Sequence, residues 1–458
     1  MQGLSVKLKA RKRFVCSAGM AVLIVLFAGG ANALANTVWC VPSASLNPAC
    51  TAATTKPHIQ DAVSAASNSD VIVVGPGHYN ETVLITTGLI SIFGAQAGRD
   101  ARVDRNNPAN ESIVDASGTP YGSGGGAAFL VEVPNVVIDG FTIQGGGVTN
   151  GTPGAYASGI FLKGWNLIQI LNNIIQNNAV GVYVYGSSPV LVEYNLFKTN
   201  NAGAAGSSAT DIAGTAGFGI VAYNNSGNAI TENEFEGNLA AAVGLDQVGG
   251  SEVTKNTSKN DGSFAVFHQS VRCYFSHNQG RDFGAQGFLP LPGVGPSGLP
   301  RHADAAVDIG LGNGSLQVND NDLEEGKTSN YSGIAFTTIL GTGGACGFCE
   351  VTNNRVKRFA GNGIVAEASS GTGTLFASGI SGNNVEHNGN DGILIEAAAV
   401  AFNGANLLLD NEAEGNSVND CEDDTTGTST AGTANVWFNN IGSLSSPAGL
   451  CAPGSGHH

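Results

Sequence analysis

Methionine, positive charge and aromatic side chains are scarce in this 458-residue chain. The only methionines are Met1 and Met20, Lys and Arg number 20 against 36 Asp and Glu, and aromatic residues make up 7%. A surface with a net charge of −16 repels nucleic acid and anionic membranes, so we expect neither as a partner. The lack of later methionines excludes a Met-rich soft-metal site beyond residue 20.

Long hydrophobic runs are also missing, apart from one near the N-terminus. Five basic residues between Lys7 and Arg13 precede the apolar run from Phe14 to Phe27, and Ala33-Leu34-Ala35 offers a small-x-small cleavage pattern. We therefore predict a signal peptide over 1–35, an exported protein in an extracellular or periplasmic location, and no membrane insertion after cleavage. An uncleaved N-terminal anchor is the alternative. Cleavage would remove 5 of the 20 basic residues and no acids, leaving 15 against 36, a net charge of −21.

An asparagine-centred repeat dominates the rest of the chain. The frame is apolar-x-x-Asn-x-apolar, with spacings as short as 22 or 23 residues, at Asn173, Asn195, Asn233, Asn256, Asn278, Asn321, Asn354, Asn383 and Asn411. A coil of about 22 residues holds two or three short strands and no helix. The repeat predicts an all-β solenoid of parallel sheets, with the asparagines stacked at one bend.

The flanks of the repeat region predict caps. Residues 36–56 form a lead-in that Cys40 and Cys50 would close, and Ile59, Ala62 and Val63 show helical spacing for a capping helix. The solenoid spans 57–442, and 443–458 is a C-terminal tail that a Cys421–Cys451 bond would hold. The pairing of Cys273, Cys346 and Cys349 stays open. We expect one elongated domain and a monomer.

Three segments then carry a resemblance to a known family. "DVIVVGPGHYNETVLI", "ISIFGA" and "VVIDGFTIQGG", followed by the asparagine-marked coils, resemble the exported right-handed parallel β-helix proteins of the pectin-lyase-like superfamily. The resemblance implies a single-stranded right-handed β-helix and a glycan as partner. That superfamily includes polysaccharide lyases, hydrolases, epimerases and adhesins, and several of its catalytic motifs are missing here. We therefore expect a polysaccharide-binding protein that either cleaves its ligand, as a lyase or a hydrolase, or serves as a non-catalytic envelope or adhesion protein.

One face of the coils is the predicted binding surface. Taking the second and fourth residues of each Gly-apolar-x-apolar strand as inward, the outward rows contain Phe161, Tyr183, Tyr185, Tyr223 and Phe267, then Asp246, Gln269 and Asp308. The aromatic rings could form a ramp for sugar rings; the alternative is that they are covered as ordinary packing. His268 falls at an inward position and is expected in the core.

Two insertions, 202–217 and 281–303, enter the coils before this face and predict a groove between them. The groove would hold Arg281 as a binding residue and Arg301, His302, Asp304, Asp246 and Asp308 as catalytic candidates. These groups could act in acid–base chemistry or bind Ca²⁺; a solvated surface loop is the alternative. Asp246 and Asp308 lie two coils apart, roughly 12 Å, too far to act as one dyad.

Overall fold

A parallel β-solenoid forms from Thr37 onwards. The computed structural model describes residues 36–103, 105, 107–117, 126–149, 152–153, 157–202, 216–284, 305–310, 312–326, 331–337, 346–367, 375–397 and 406–454. The predicted signal peptide lies outside these residues. Within them, no helix is long and apolar enough to cross a membrane.

Each coil passes through three sheets in turn, and in each sheet a strand pairs in parallel with its counterparts one coil before and one coil after. Sheet 1 consists, within the described residues, of β4 Val83–Ile85, β7 Phe129–Val131, β12 Ser158–Lys163, β15 Val180–Tyr185, β18 Phe218–Ser226, β21 Ala241–Gly249, β24 Ala265–His268, β27 Ala305–Ile309, β31 Ser332–Phe336, β35 Ile364–Ala366, β39 Ile393–Ile395, β42 Cys421–Asp423 and β44 Ser445–Ser446.

Sheet 2 follows sheet 1 in the coil. It contains β1 Val38–Val41, β2 Val71–Val74, β5 Ile90–Phe93, β8 Val136–Asp139, β13 Ile168–Leu171, β16 Val190–Glu193, β19 Ala229–Thr231, β22 Glu252–Thr254, β25 Tyr274–Ser276, β29 Gln317–Asn319, β33 Glu350–Thr352, β37 Gly379–Ser381, β40 Leu407–Leu409 and β43 Val436–Phe438.

Sheet 3 comes after the asparagine bend. It contains β3 Gly77–Tyr79, β6 Ser112–Asp115, β9 Phe141–Gln144, β14 Ile174–Gln176, β17 Leu196–Lys198, β20 Glu234–Glu236, β23 Thr257–Lys259, β26 Gln279–Phe283, β30 Asp322–Gly326, β34 Arg355–Phe359, β38 Asn384–Glu386 and β41 Glu412–Glu414. Two smaller pairings join β10 Val148–Thr149 with β11 Thr152–Pro153, and β28 Asn313–Gly314 with β32 Cys346–Gly347 and β36 Leu375–Phe376.

Alternating side chains explain this architecture. In sheet 1, Ile160 and Leu162 point into the solenoid with Val182 and Val184 of the next coil, and all are buried in one continuous core. Inward side chains from all three sheets fill this core, so each coil is stabilised by its neighbours rather than by itself. The all-β, right-handed parallel β-helix prediction is confirmed.

The asparagine ladder is confirmed and extends one rung further, to Asn440. Each side-chain amide and each backbone N–H donates to the Oδ1 of the next rung; for Asn256 to Asn278 these distances are 3.1 and 2.9 Å. The Asn256 amide also donates to the carbonyl of Ile230 at 2.9 Å. The ladder therefore satisfies polar groups that the bend buries.

Additional elements extend the solenoid at both ends. The predicted capping helix is α1, Ile59–Ala65, which buries Ile59, Ala62 and Val63. Strand β1 of the predicted lead-in pairs with β2, and β44 of the predicted tail pairs with β42, so the sheets extend into both flanking segments. The Cys40–Cys50 and Cys421–Cys451 disulfides are present as predicted. A third disulfide joins Cys346 and Cys349, and Cys273 is a free, buried thiol.

Candidate functional site

A buried acid–histidine pair lies on the outer face of sheet 1. Asp246 on β21 is the strand partner of His268 on β24, and the His268 Nδ1 lies 2.8 Å from the Asp246 Oδ1. The side chain of Asp246 is fully buried and that of His268 is 8% exposed. Both point away from the solenoid core, because the inward residues of these strands, Leu245 and Phe267, alternate with them.

Burial dominates the electrostatics of Asp246. Loss of solvent raises the pKa of its carboxyl group, and the hydrogen bond and positive charge of His268 oppose that rise. The second carboxylate oxygen, Oδ2, has no hydrogen-bond partner within the described part of the chain. A buried acceptor without a partner costs free energy, so this oxygen is available to a ligand or to a reacting group.

His268 is buried and hydrogen-bonded as expected, but the prediction that it points into the core was wrong, and the error has a structural cause. Ala265 resembles the small residue that starts the repeated strand, but Ala265 pairs with Val243, one position later. Phe264 occupies the small-residue position instead and is buried in the core against Phe275 and Phe283. The shift of one residue turns His268 outward.

The same shift overturns two predicted binding residues. Phe267 points inward, is fully buried and packs edge-on against Phe275 with ring centroids 6.1 Å apart. Gln269 is not in the row of Asp246: it is exposed at the turn after β24, with a left-handed backbone φ of 48°. Neither residue is therefore a member of the outward rows.

Asp308 lies near the pair, on β27. It is in the outward row beside that of His268, as predicted, and is two strands from β21. Thr337 donates from its hydroxyl to the Asp308 Oδ1 at 2.8 Å. One strand spacing and two residues along the strand put the Asp308 and His268 Cα atoms roughly 8 Å apart.

The predicted aromatic ramp divides into a buried part and an exposed part. Phe161 and Tyr183 stack with ring centroids 5.1 Å apart and are each only 2% exposed, inside a second apolar cluster on the outer face of sheet 1. The covered alternative therefore holds for these two rings, because the cluster removes their apolar surface from water. Tyr185 is 43% exposed, and its ring centroid is 5.6 Å from that of the half-buried Tyr223.

Tyr223 connects the exposed rings to the acid–histidine pair. It is the strand partner of both Tyr185 and Asp246, so the outward row runs Tyr185, Tyr223, Asp246, His268 over successive coils. Burial and the nearby Asp246 carboxylate raise the pKa of the Tyr223 hydroxyl. Sequence reasoning missed Trp165, which is 45% exposed two residues beyond Lys163, the strand partner of Tyr185. A tryptophan two residues after the end of an outward-row strand was the signal in the sequence.

One of the remaining candidates lies in another sheet. Arg281 lies on β26 in sheet 3, whereas the prediction placed it on the second insertion beside Asp246 and Asp308 of sheet 1. Arg301, His302 and Asp304, and most of both insertions, lie outside the described residues.

No cluster of three His, Cys, Asp or Glu side chains suited to a metal ion occurs in the described parts of the chain. Among the acidic residues near the C-terminus, Asp420 accepts from the backbone N–H of Ser443 and Leu444, and Asp423 accepts from the Trp437 indole. These two carboxylates therefore stabilise the closing coil.

Comparison with known proteins agrees with this architecture. Residues 121–280 match the family model for the right handed beta helix region. The catalytic domain of a GH87 α-1,3-glucanase in complex with nigerose is 12% identical over 83% of this chain and 65% of that chain, with a TM-score of 0.52. Likeness at that identity concerns the fold alone. The chain has the right-handed parallel β-helix fold that the sequence resemblance implied.

Two further solved structures are similar at lower scores. Alginate lyase from Paenibacillus sp. str. FPU-7 is 16% identical, covering 80% of this chain and 99% of that chain, with a TM-score of 0.44. DFA-IIIase from Arthrobacter chlorophenolicus A6, crystallised without its lid, is 17% identical, covering 82% and 94%, with a TM-score of 0.45. A search of curated proteins finds no match to the chain.

Proposed function

We propose that the protein is an exported polysaccharide-binding and polysaccharide-cleaving β-helix protein whose chemistry lies at Asp246, His268 and Asp308. The observation that carries the proposal is the buried Asp246–His268 pair on the outer face of sheet 1. The pair lies outside the continuous hydrophobic core of the solenoid. Buried charged groups are costly to a fold and are concentrated at functional sites.

The geometry suits proton transfer by His268. Its Nδ1 is committed to the Asp246 carboxylate, which leaves Nε2 to take or give a proton. The ionised carboxylate holds the ring in one orientation and stabilises the imidazolium that forms. Nε2 could take the proton from a sugar-ring carbon, as elimination by a lyase requires, or from water, as hydrolysis requires. Asp308 supplies a second acid–base group on the neighbouring strand.

Tyr185 and Tyr223 supply the binding surface. Their rings are neighbours along the solenoid axis and lead to the acid–histidine pair. Flat apolar rings with a hydroxyl at the edge pack well against sugar rings, which present both C–H and O–H groups. A glycan chain lying along the axis would meet one outward residue roughly every 4.8 Å.

The three disulfides are compatible with an oxidising, exported location, which together with the predicted signal peptide supports the cellular part of the proposal.

The test uses the mature protein on a panel of neutral and acidic polysaccharides, with and without Ca²⁺. We expect new reducing ends or unsaturated products from at least one glycan, and their loss in His268→Ala. The Tyr185→Ala/Tyr223→Ala variant should lose retention on the same glycan. Tyr274→Ala, which removes an exposed ring on sheet 2, is the matched control and should behave as wild type.

The outcome separates cleavage from binding. If wild type retains a glycan and releases no product from any member of the panel, the cleavage proposal is rejected and the adhesion or structural alternative stands. If neither retention nor product release occurs, both parts of the proposal are rejected.

A further inference from the structure

A groove of about 410 Å³ lies on the outer face of sheet 3, away from the candidate site on sheet 1. Its floor is the backbone around Ser258 and Gly280, since these two residues occupy positions that face the interior of the solenoid. One wall is formed by Glu234, Thr257 and Gln279, and the other by Lys259, Arg281 and Glu324. Its volume is in the range of sites that hold a small ligand.

Two like charges stand side by side in this groove. Lys259 and Arg281 are direct partners on adjacent strands, and both side chains are exposed. Like charges directly opposite each other destabilise a sheet. Neither cation has a carboxylate within 4.0 Å among the residues that the structure describes. The pair is unusual in a chain whose net charge is −16.

The carboxylates that flank the two cations in their outward row already form ion pairs with other residues. Along this outward row, Glu236 precedes Lys259 and Glu324 follows Arg281. Glu236 forms an ion pair with Lys198 at 3.0 Å, and Glu324 pairs with Arg358. Asp322, at the end of the groove, pairs with Arg355 at 2.8 Å. Glu234, on the opposite wall beside Thr257, lines the groove and forms no ion pair among the described residues. Two cations against this one carboxylate leave a net charge of +1 in the groove for a ligand.

We infer that this groove binds the anionic group of an acidic oligosaccharide. A planar guanidinium can bind a carboxylate or a sulfate ester with two parallel hydrogen bonds, and the adjacent ammonium adds charge. Thr257 and Gln279 on the opposite wall supply hydrogen-bonding groups for sugar hydroxyls. The surface is separate from the Asp246–His268 pair, so the inference does not depend on the proposed cleavage.

The experiment measures binding of three tetrasaccharides to the full mature protein by calorimetry at low salt: an oligogalacturonate, a sulfated heparin-derived fragment and neutral cellotetraose. We expect at least one anionic fragment to bind, cellotetraose to bind at least tenfold more weakly, and Lys259→Gln/Arg281→Gln to lose at least tenfold in affinity for the anionic fragment. Added salt should weaken binding, because exposed ionic contacts are screened. The carboxylated and sulfated arms identify which anion is preferred.

Lys357→Gln is the matched control, since Lys357 lies in the same outward row and does not line the groove. It should keep wild-type affinity, and all variants should keep the wild-type melting temperature within a few degrees because the substituted side chains point away from the core. Absence of binding by both anionic fragments, equal binding of cellotetraose, or wild-type affinity in the double variant would each overturn the inference.

Discussion

Asn256 is a representative rung of the asparagine ladder, because its amide is fully buried and its hydrogen bonds reach both neighbouring coils. Asn256→Ala leaves the Asn233 amide, the Ile230 carbonyl and the Asn278 Oδ1 with fewer partners. We expect a loss of about 1–3 kcal/mol in the free energy of unfolding, measured by urea denaturation. Thr257→Ala, on the exposed side of the same bend, should change it by less than about 0.5 kcal/mol. Equal effects of the two substitutions would contradict the ladder's structural role.

A second amide ladder ends on a carboxyl group. Asn178, Asn200 and Asn238 stack as the first ladder does, and the next rung is Asp261, which accepts from the Asn238 amide at 2.8 Å. Burial raises the pKa of Asp261 to about 7, against the hydrogen bonds from Ser258 and Asn238 that lower it. The folded protein therefore binds a proton here that the unfolded chain, with an ordinary aspartate, releases near pH 4.

This site predicts a pH dependence of stability. A folded pKa above the unfolded one means that the stabilising contribution of Asp261 is fully present below pH 4 and is lost as pH rises to about 7. Asp261→Asn restores the amide of the other rungs and removes the titration. At pH 8 the variant should be more stable than wild type by roughly 2–4 kcal/mol, and the difference should shrink towards pH 4. A difference that does not vary between pH 4 and 8 would contradict the shifted carboxyl group.

The two ladders differ in how well the sequence predicts them. The first has an apolar frame around each asparagine, so its nine rungs were visible as a repeat. Asp261 breaks its column in residue type, and its raised pKa comes from burial by coils distant in sequence. A repeat pattern identifies a column of equivalent positions, but not the environment of a position where the residue type changes.

At the scale of the element, strand β24 shows where the repeat pattern fails. The inward and outward positions of β12, β15, β18 and β21 follow the predicted alternation. Immediately before β24, Phe264 replaces the small residue of the repeat, and the space for its ring comes from Gly280 in another strand of the same coil. A prediction from the sequence of each strand alone therefore assigned Phe267, His268 and Gln269 to the wrong positions.

Gly280 makes room for two aromatic rings. A Cβ at this position would lie 2.3 Å from the Phe283 Cζ and 2.8 Å from the Phe264 Cδ1. Gly280→Ala should therefore lower the free energy of unfolding by about 1–3 kcal/mol through overpacking. Gly379→Ala in β37 is the control, since a Cβ there meets no atom within 4 Å. Similar urea midpoints for both variants would contradict the packing of Phe264 against Gly280.

At the scale of the whole molecule, the ends are the parts of the solenoid with a neighbour on one side only. The Cys421–Cys451 disulfide closes a separation of 30 residues around the last coil. Since stability in a solenoid is nearly a sum of neighbouring-coil terms, losing this bond should act locally. In Cys421→Ser/Cys451→Ser, we expect hydrogen exchange to rise in β42, β43 and β44 and to stay unchanged in β1 and β2.

The reverse comparison checks that expectation. Cys40→Ser/Cys50→Ser should accelerate exchange around β1 and leave β43 unaffected. A uniform rise in hydrogen exchange along the whole chain in either variant would contradict the expectation that stability is nearly a sum of neighbouring-coil contributions.

The fold was predictable because each coil buries one face of three short strands, and the same pattern of apolar residues recurs in the sequence of each coil. The candidate site was only partly predictable. Asp246, Tyr185, Tyr223 and Asp308 lie on the predicted face, but the partner of Asp246 is a histidine that the strand pattern assigned to the core. Arg301, His302 and Asp304 remain predictions.

The most direct test of the central claim, that the Asp246–His268 pair carries the chemistry, is the steady-state kinetics of Asp246→Asn on a glycan that wild type cleaves. Removing the carboxylate leaves the sugar-binding rings intact but no longer orients His268 or stabilises its imidazolium. We predict a fall in kcat of about 10²–10⁴-fold with KM nearly unchanged, since the lost interaction acts in the transition state. A variant with the kcat of wild type would contradict the account, as would a wild-type protein that releases no product from any glycan tested.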